Sequence, residues 1–149
     1  MLNDQDFLGV IDATPLVSID LIIKNAQGQV LLGLRNNKPA QGYWFVPGGR
    51  VRKNERLKST FQRLCRDELV LDIGLTDARL LGAYEHIYED NFLNSSRVNT
   101  HYVVLGYELV LDNGVEVNLD DQHSDQRWWS LSELLASDKV HDNTKAYFE

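Results

Sequence analysis

The sequence predicts an α+β domain in which a mixed sheet is covered by helices. Three observations lead there. Apolar, β-branched runs recur along the chain. Two stretches carry helical periodicity. The strands come in hairpin-like order, not as a regular strand–helix–strand repeat. With 149 residues, the chain has the length of one domain spanning 1–149.

Asp4 to Ala13 reads as a short helix with Phe7, Leu8, Val10 and Ile11 on its apolar side. Thr14-Pro15 stops it, because the residue before proline avoids the helical region. Leu16 to Lys24 reads as a strand, Asn25 to Gly28 as a turn, and Gln29 to Leu34 as the returning strand of a hairpin. Asn36 to Gly42 is polar and loop-like, and Tyr43 to Val46 is a short strand ended by Pro47-Gly48-Gly49. Asn54 suits a helix N-cap and Glu55 a first turn. Leu57, Phe61, Leu64 and Cys65 then recur at helical spacing, which predicts a helix from about Glu55 to Leu69.

Arg79 to Tyr88 and Thr100 to Leu111 read as two longer strands, joined by the polar loop Asn91 to Asn99. Alternation along the second puts His101 and Tyr102 on opposite faces, so His101 is expected to be structural or interfacial. Gln126 to Trp129 is a short strand, and Ser130-Leu131-Ser132-Glu133 is a capping box that opens a second amphipathic helix. Trp44, Trp128 and Trp129 are expected in the core.

The formal charge is −7. That excludes nonspecific nucleic-acid binding, which needs a basic face, and disfavours an anionic membrane surface. It does not exclude a small anion. From Arg35 to Lys58, seven basic residues stand against one acid, Glu55, so the acidity is not uniform. One cysteine, Cys65, rules out an internal disulfide and suits a reducing compartment. The first residues carry no basic segment of a signal peptide, and no apolar run reaches membrane-spanning length. A soluble cytoplasmic domain is the expectation.

The stretch Gly49-x5-Glu55-x7-Arg63-x4-Glu68 joins a Gly-rich loop to a helix with acids and Arg at fixed offsets. On an ideal continuous helix Glu68 lies about 220° round from Glu55. Glu55 and Arg63 are thus free to form a stabilising network while Glu68 faces a site.

This stretch resembles the Nudix box, G-x5-E-x7-R-E-U-x-E-E-x-G-U with U bulky and apolar. Gly49, Glu55, Arg63, Glu68 and Leu71 fit it. Leu64 stands where the first Glu of R-E belongs, Asp67 replaces the first Glu of E-E, Val70 replaces the Gly, and Cys65 is a loose match. The departures are similar to those of one branch, the GDP-mannose mannosyl hydrolases. That branch is also resembled in Thr14 to Ser18, Pro39 to Arg50, Tyr88 to Phe92, Thr100 to Gly106, Asp121 to His123 and Leu135 to Asp138. The resemblance implies a Nudix-like α/β/α sandwich. It implies Mg²⁺-dependent hydrolysis of GDP-mannose or GDP-glucose to GDP and free hexose, by water attack at the anomeric carbon with inversion. It also implies a homodimer, and the N-terminal helix is a candidate contact.

Site residues follow from the same resemblance. Mg²⁺ would be held by Glu68, the Gly48 carbonyl and Gln122, an all-oxygen set suited to that ion. Losing acids near Glu68 argues for fewer cations than a full box holds. His123 would be the general base. Arg35 and Arg50 would stabilise the leaving diphosphate, helped by Tyr102 and His86. Asp20, which interrupts an apolar strand, would stand near the sugar, and Tyr88 to Asn91 would form a loop over it. Structural alternatives stay open: a solvent-facing acid for Asp20, a surface charge for Arg50, and satisfied strand residues for His86 and Tyr102. Two other functions stay open as well. One is a pyrophosphatase splitting P–O–P in another sugar nucleotide. The other is a noncatalytic nucleotide-binding module.

Overall fold

A computed structural model describes residues 2–69, 73–112, 117 and 123–149; the side chains of Glu68, His123 and Ser124 lie outside that description. The elements are α1 (Asp4–Ala13), β1 (Leu16–Lys24), β2 (Val30–Arg35), β3 (Trp44–Phe45), β4 (Gly48–Arg50), α2 (Leu57–Leu69), β5 (Arg79–Tyr88), β6 (Thr100–Val110), β7 (His123–Trp129), α3 (Leu131–Ala136) and α4 (Asp142–Lys145). Short 3₁₀ turns at Leu75–Asp77 and Ala146–Phe148 complete them.

The seven strands form one mixed sheet with the path β3-β2-β1-β6-β5, in which β4 adds to β1 and β7 to β2. β1 pairs parallel with β6 over its whole length, and the remaining pairs are antiparallel. The central position of β1 explains its continuous apolar run. Ile19, Leu21, Ile22 and Ile23 are fully buried because both faces of the sheet are covered. Ile19, Leu21 and Ile23 pack under Phe61, Leu64, Cys65 and Leu69 of α2. Ile22 points the other way, into Val30, Leu32, Val46, Trp129, Leu134, Val140 and Tyr147. Helices on both faces give the expected α/β/α sandwich. No helix among the described residues is long and apolar enough to cross a membrane.

On its free side β1 changes partner along its length. Its end pairs with β2, at Lys24 opposite Val30. Its first half pairs with β4, at Asp20 opposite Gly48 and Ser18 opposite Arg50. β2 meanwhile diverges to β7 and β3. The split leaves an opening between β1, β4 and the end of β2.

Two local expectations are corrected. Helix α2 begins at Leu57, and Asn54 is a loop residue with φ +70°, not an N-cap. Asn is among the side chains that tolerate this left-handed conformation. Glu55 therefore precedes the helix, and the helical-wheel angle between it and Glu68 does not apply. The short strand does end before Pro47, but Gly48-Gly49 is not a loop: both residues begin β4, and the Pro47 carbonyl accepts from the Leu21 amide at 2.8 Å. Finally, α4 and the following turn had no sequence signal, whereas the Ser130 capping box is present as read.

Candidate active site

The opening in the sheet is a cavity of about 300 Å³. β1 contributes Asp20, the end of β2 Arg35, β4 Gly48, Gly49 and Arg50, β5 His86 and Tyr88, and β6 Tyr102. Seven of the ten residues singled out from the sequence thus share one wall or floor. His86 and Tyr102 are register partners across β5 and β6. His101 sits one position on, opposite Ile87, off the cavity as alternation requires. A second cavity of about 630 Å³ shares Arg35, Pro39, Arg50 and Tyr102 with the first and is bordered by Phe7, Ile11 and Phe92.

Gln122 lies outside the described residues. Glu68 stands in the last turn of α2, and His123 opens β7 with its backbone in register with Arg35, at a bulge after Leu34. The register sets the His123 backbone beside Arg35.

Each arginine rests on a ring. The Arg50 guanidinium lies 4.3 Å from the centroid of Phe7, contributed by α1, and that of Arg35 lies 5.8 Å from Phe45. Stacking fixes the plane of a guanidinium and leaves its N–H fork for an anion. Phe7 also meets Phe92 at 5.4 Å, so α1 is packed over this edge of the site. The backbone of Arg50 is held in turn, because Arg63 Nη2 donates to its carbonyl at 2.9 Å.

The two glycines before Arg50 are required by close packing. A methyl at Gly48 would sit 2.4 Å from the Ile19 carbonyl oxygen and 2.5 Å from Asp20 Oδ1. A methyl at Gly49 would sit 2.5 Å from Leu64 Cδ2. Leu64 is buried and also lines the cavity. The missing acid of the box is therefore replaced by an apolar contact that closes the floor.

Burial pushes the Asp20 carboxyl up to about 7, opposed by a hydrogen bond from Tyr147 and by the charge of Arg35. The Asp20 side chain is only 17% exposed and accepts from Tyr147, which excludes the solvent-facing reading. Burial, with His141 nearby, pulls His86 down to about 4, so it is neutral at pH 7. Its Nδ1 stands 4.0 Å from Asp20 Oδ2, and its buried Nε2 has no hydrogen-bond partner among the described residues. Burial also raises Tyr88 and Tyr102, which remain neutral hydroxyls. Cys65 in the core is pushed up to about 12 by burial and is inert.

Asn91 has a structural role. It is fully buried, donates to the carbonyls of Ser95 and Val98, and accepts from the amides of Leu93 and Ser95. It builds the loop and does not face the cavity. Tyr147 is a site residue that sequence reasoning missed: its hydroxyl donates to Asp20 Oδ2 at 2.6 Å from 127 residues away. No motif surrounds it.

Comparison with known proteins agrees with this geometry. The NUDIX domain model matches residues 14–149. The low-salt glycan biosynthesis protein Agl8 of Haloferax volcanii is 39% identical over 123 residues, which cover 83% of this chain and 76% of that protein. Among solved structures, the MutT NUDIX hydrolase of Burkholderia pseudomallei superposes with a TM-score of 0.71 at 25% identity, covering 90% of this chain and 95% of that one. The NUDIX domain of Shewanella oneidensis NrtR, solved with ADP ribose, gives 0.67 at 20% identity, with 99% and 96% covered. The chain belongs to the Nudix family of hydrolases.

Proposed function

We propose that this Nudix hydrolase converts a GDP-hexose, GDP-mannose or GDP-glucose, to GDP and free hexose, by water attack at the anomeric carbon with inversion. The observation that carries the reading is the cavity itself. It sets two ring-stacked arginines, Arg35 and Arg50, beside a buried carboxyl, Asp20, and three neutral donors, His86, Tyr88 and Tyr102. Cations suit a diphosphate, and the uncharged polar groups with Asp20 suit a sugar. The adjoining cavity with Phe7 and Phe92 offers apolar rings to a nucleobase. A glycan-biosynthesis name for a 39% identical relative is in keeping with a sugar-nucleotide substrate.

The proposed donors for Mg²⁺ are the Gly48 carbonyl, Glu68 and Gln122. Their chemistry fits, being hard oxygen throughout, and Gly48 lies on the cavity wall with no side chain to block it. Bound there, the ion would neutralise charge on the diphosphate. Leu64 in place of an acid fits fewer ions than a full Nudix box holds. Among the described residues, no group of three His, Cys, Asp or Glu side chains converges.

In the proposed reaction, a water oxygen bonds to the anomeric carbon on the face opposite GDP. The bond from that carbon to the β-phosphate oxygen breaks, and its electron pair leaves with GDP. His123 takes the proton from the water. Arg35 and Arg50 receive the charge that develops on the diphosphate, a role that replaces a general acid. Asp20 and Tyr88 hold the sugar, and His86 and Tyr102 donate towards the leaving group. A homodimer is proposed, with α1 at or near the contact, and sedimentation tests it directly.

GDP-mannose incubated with Mg²⁺ in ¹⁸O water tests the chemistry. Label in mannose, with GDP as the other product, is expected. GMP as product, with label in phosphate, would instead show P–O–P cleavage. Binding with no turnover would show a noncatalytic module.

A further inference from the structure

Asp20 is the acid inside the central strand, and its carboxyl is confined from both neighbouring strands. In register, Gly48 of β4 flanks it on one side and Gly106 of β6 on the other. Asp20 Oδ1 occupies the space over Gly48 where a side chain would otherwise stand. The space over Gly106 is taken by the ring of Tyr147, because a methyl there would meet its Cε1 at 2.7 Å. The ring is buried and wedged edge-on between Tyr84 at 4.5 Å and His86 at 5.9 Å. Its hydroxyl meets Asp20 Oδ2 at 2.6 Å. One carboxyl oxygen is thus tied to the 3₁₀ turn Ala146–Phe148, and the other lies against Gly48 at the cavity.

We propose that Tyr147 is a positioning residue, which holds Asp20 by one oxygen and so aims the other at a hydroxyl of the sugar. The proposal rests on the sugar-nucleotide reading above and adds a residue to it. A carboxyl that can rotate presents its two oxygens in many directions, and tying one of them removes that freedom before substrate arrives. A tyrosine needed only to fill the core would lose nothing on becoming phenylalanine. The hydroxyl is the atom that carries this role.

The test compares the wild type with Tyr147→Phe, Asp20→Asn and the double variant. Turnover of GDP-mannose with Mg²⁺ is measured, together with the Kd of GDP, which lacks the sugar. Tyr147→Phe is expected to lower kcat/KM for GDP-mannose by about tenfold or more and to leave the Kd of GDP unchanged. In the Asp20→Asn background the same substitution is expected to add almost nothing, since a residue acting through another is non-additive with it. Gly106→Ala, which crowds the ring from its seat, is expected to repeat the loss. Wild-type kcat/KM in Tyr147→Phe overturns the proposal. So does an equal loss with and without Asp20, or a parallel loss of GDP affinity. Absence of any sugar-nucleotide turnover in the wild type overturns the substrate reading and this proposal with it. Failure of Tyr147→Phe alone leaves the substrate reading standing.

Discussion

Arg63 reaches back to Glu55 with two nitrogens, Nε to Oε2 and Nη2 to Oε1, each at 2.8 Å. This bidentate pair ties α2 to the loop before it. Glu55 Oε1 also accepts from the Arg52 amide, and the same Arg63 nitrogen donates to the Arg50 carbonyl. These two positions of the box therefore hold β4 and its glycines in place. The pair is about four-fifths buried, so it is less screened than an exposed one.

Glu55→Gln is expected to lower stability by about 1–3 kcal/mol at pH 7, the range for a lost hydrogen bond to a charged group. The hydrogen bond from Arg63 is the main reason that the Glu55 carboxyl is held down at about 2, against an ordinary 4.5. A folded-state value below the unfolded one means that this stability is present above about pH 4.5 and is lost as pH falls towards 2. Urea denaturation of both proteins from pH 7 to 2 should show the difference shrinking across that window. A constant gap down to pH 2 would reject the assignment.

Asp20 shows the opposite sign. Its folded-state value, about 7, lies above the ordinary 3.8, so the wild type is favoured at low pH and loses this contribution as pH rises through 7. Asp20→Asn is expected to raise Tm at pH 8, with the gain gone near pH 4. Activity is expected to fall about tenfold to a hundredfold, because Asn cannot offer a charged acceptor to a sugar hydroxyl. Stability spent on a buried site acid is a familiar cost of function. A lower Tm at pH 8 with Asn would show that the carboxyl stabilises the fold instead.

Much of this was legible in the sequence. The apolar, β-branched run places β1 at its observed ends, because burial and branching act locally, and β5 also spans the residues read as a strand. Leu57, Phe61, Leu64 and Cys65 announce α2 by their helical spacing, and Gly49, Glu55 and Arg63 are picked out by the resemblance to the Nudix box. What was hidden depends on distance along the chain. Asn54 has a good cap's side chain, but the Glu55–Arg63 pair and the Arg52 amide hold the loop in a turn that delays the helix to Leu57. Tyr147 carries no motif, and its partner is 127 residues away. The roles of Glu68 and Gln122 rest on resemblance.

Arg50→Lys keeps the charge at the site but removes the planar fork and its seat on Phe7. A fall of about tenfold to a hundredfold in kcat/KM is expected, carried mainly by kcat if the fork meets charge that develops on the leaving group. Phe7→Ala should cost less, because the arginine remains. Steady-state kinetics of both variants decide it. Normal turnover with Lys would return Arg50 to the status of a surface charge.

Glu68→Gln should shift the Mg²⁺ activation curve to higher concentration while leaving the thermal transition nearly unchanged. A carboxylate is a far better ligand for a hard cation than an amide. An unaltered metal titration would remove Glu68 from the proposed donor set.

His123→Gln bears on the chemical step. The backbone of His123 is in register with Arg35, so the residue proposed as the base stands beside one of the arginines assigned to the diphosphate. In an inverting displacement water and leaving group occupy opposite faces of the reacting carbon, and the proposed base serves the water's face. Glutamine fills a similar volume and can still hydrogen-bond to water, but it cannot accept a proton at neutral pH. We expect kcat to fall by about 10²–10⁴-fold with KM little changed, the range for losing a positioned general base. The acidic limb of the pH–rate profile should disappear with it, because that limb would report protonation of the imidazole. If the limb persists in the variant, the base is another residue, and Asp20 is the group whose titration then has to be examined, since it is held near 7 inside the same cavity.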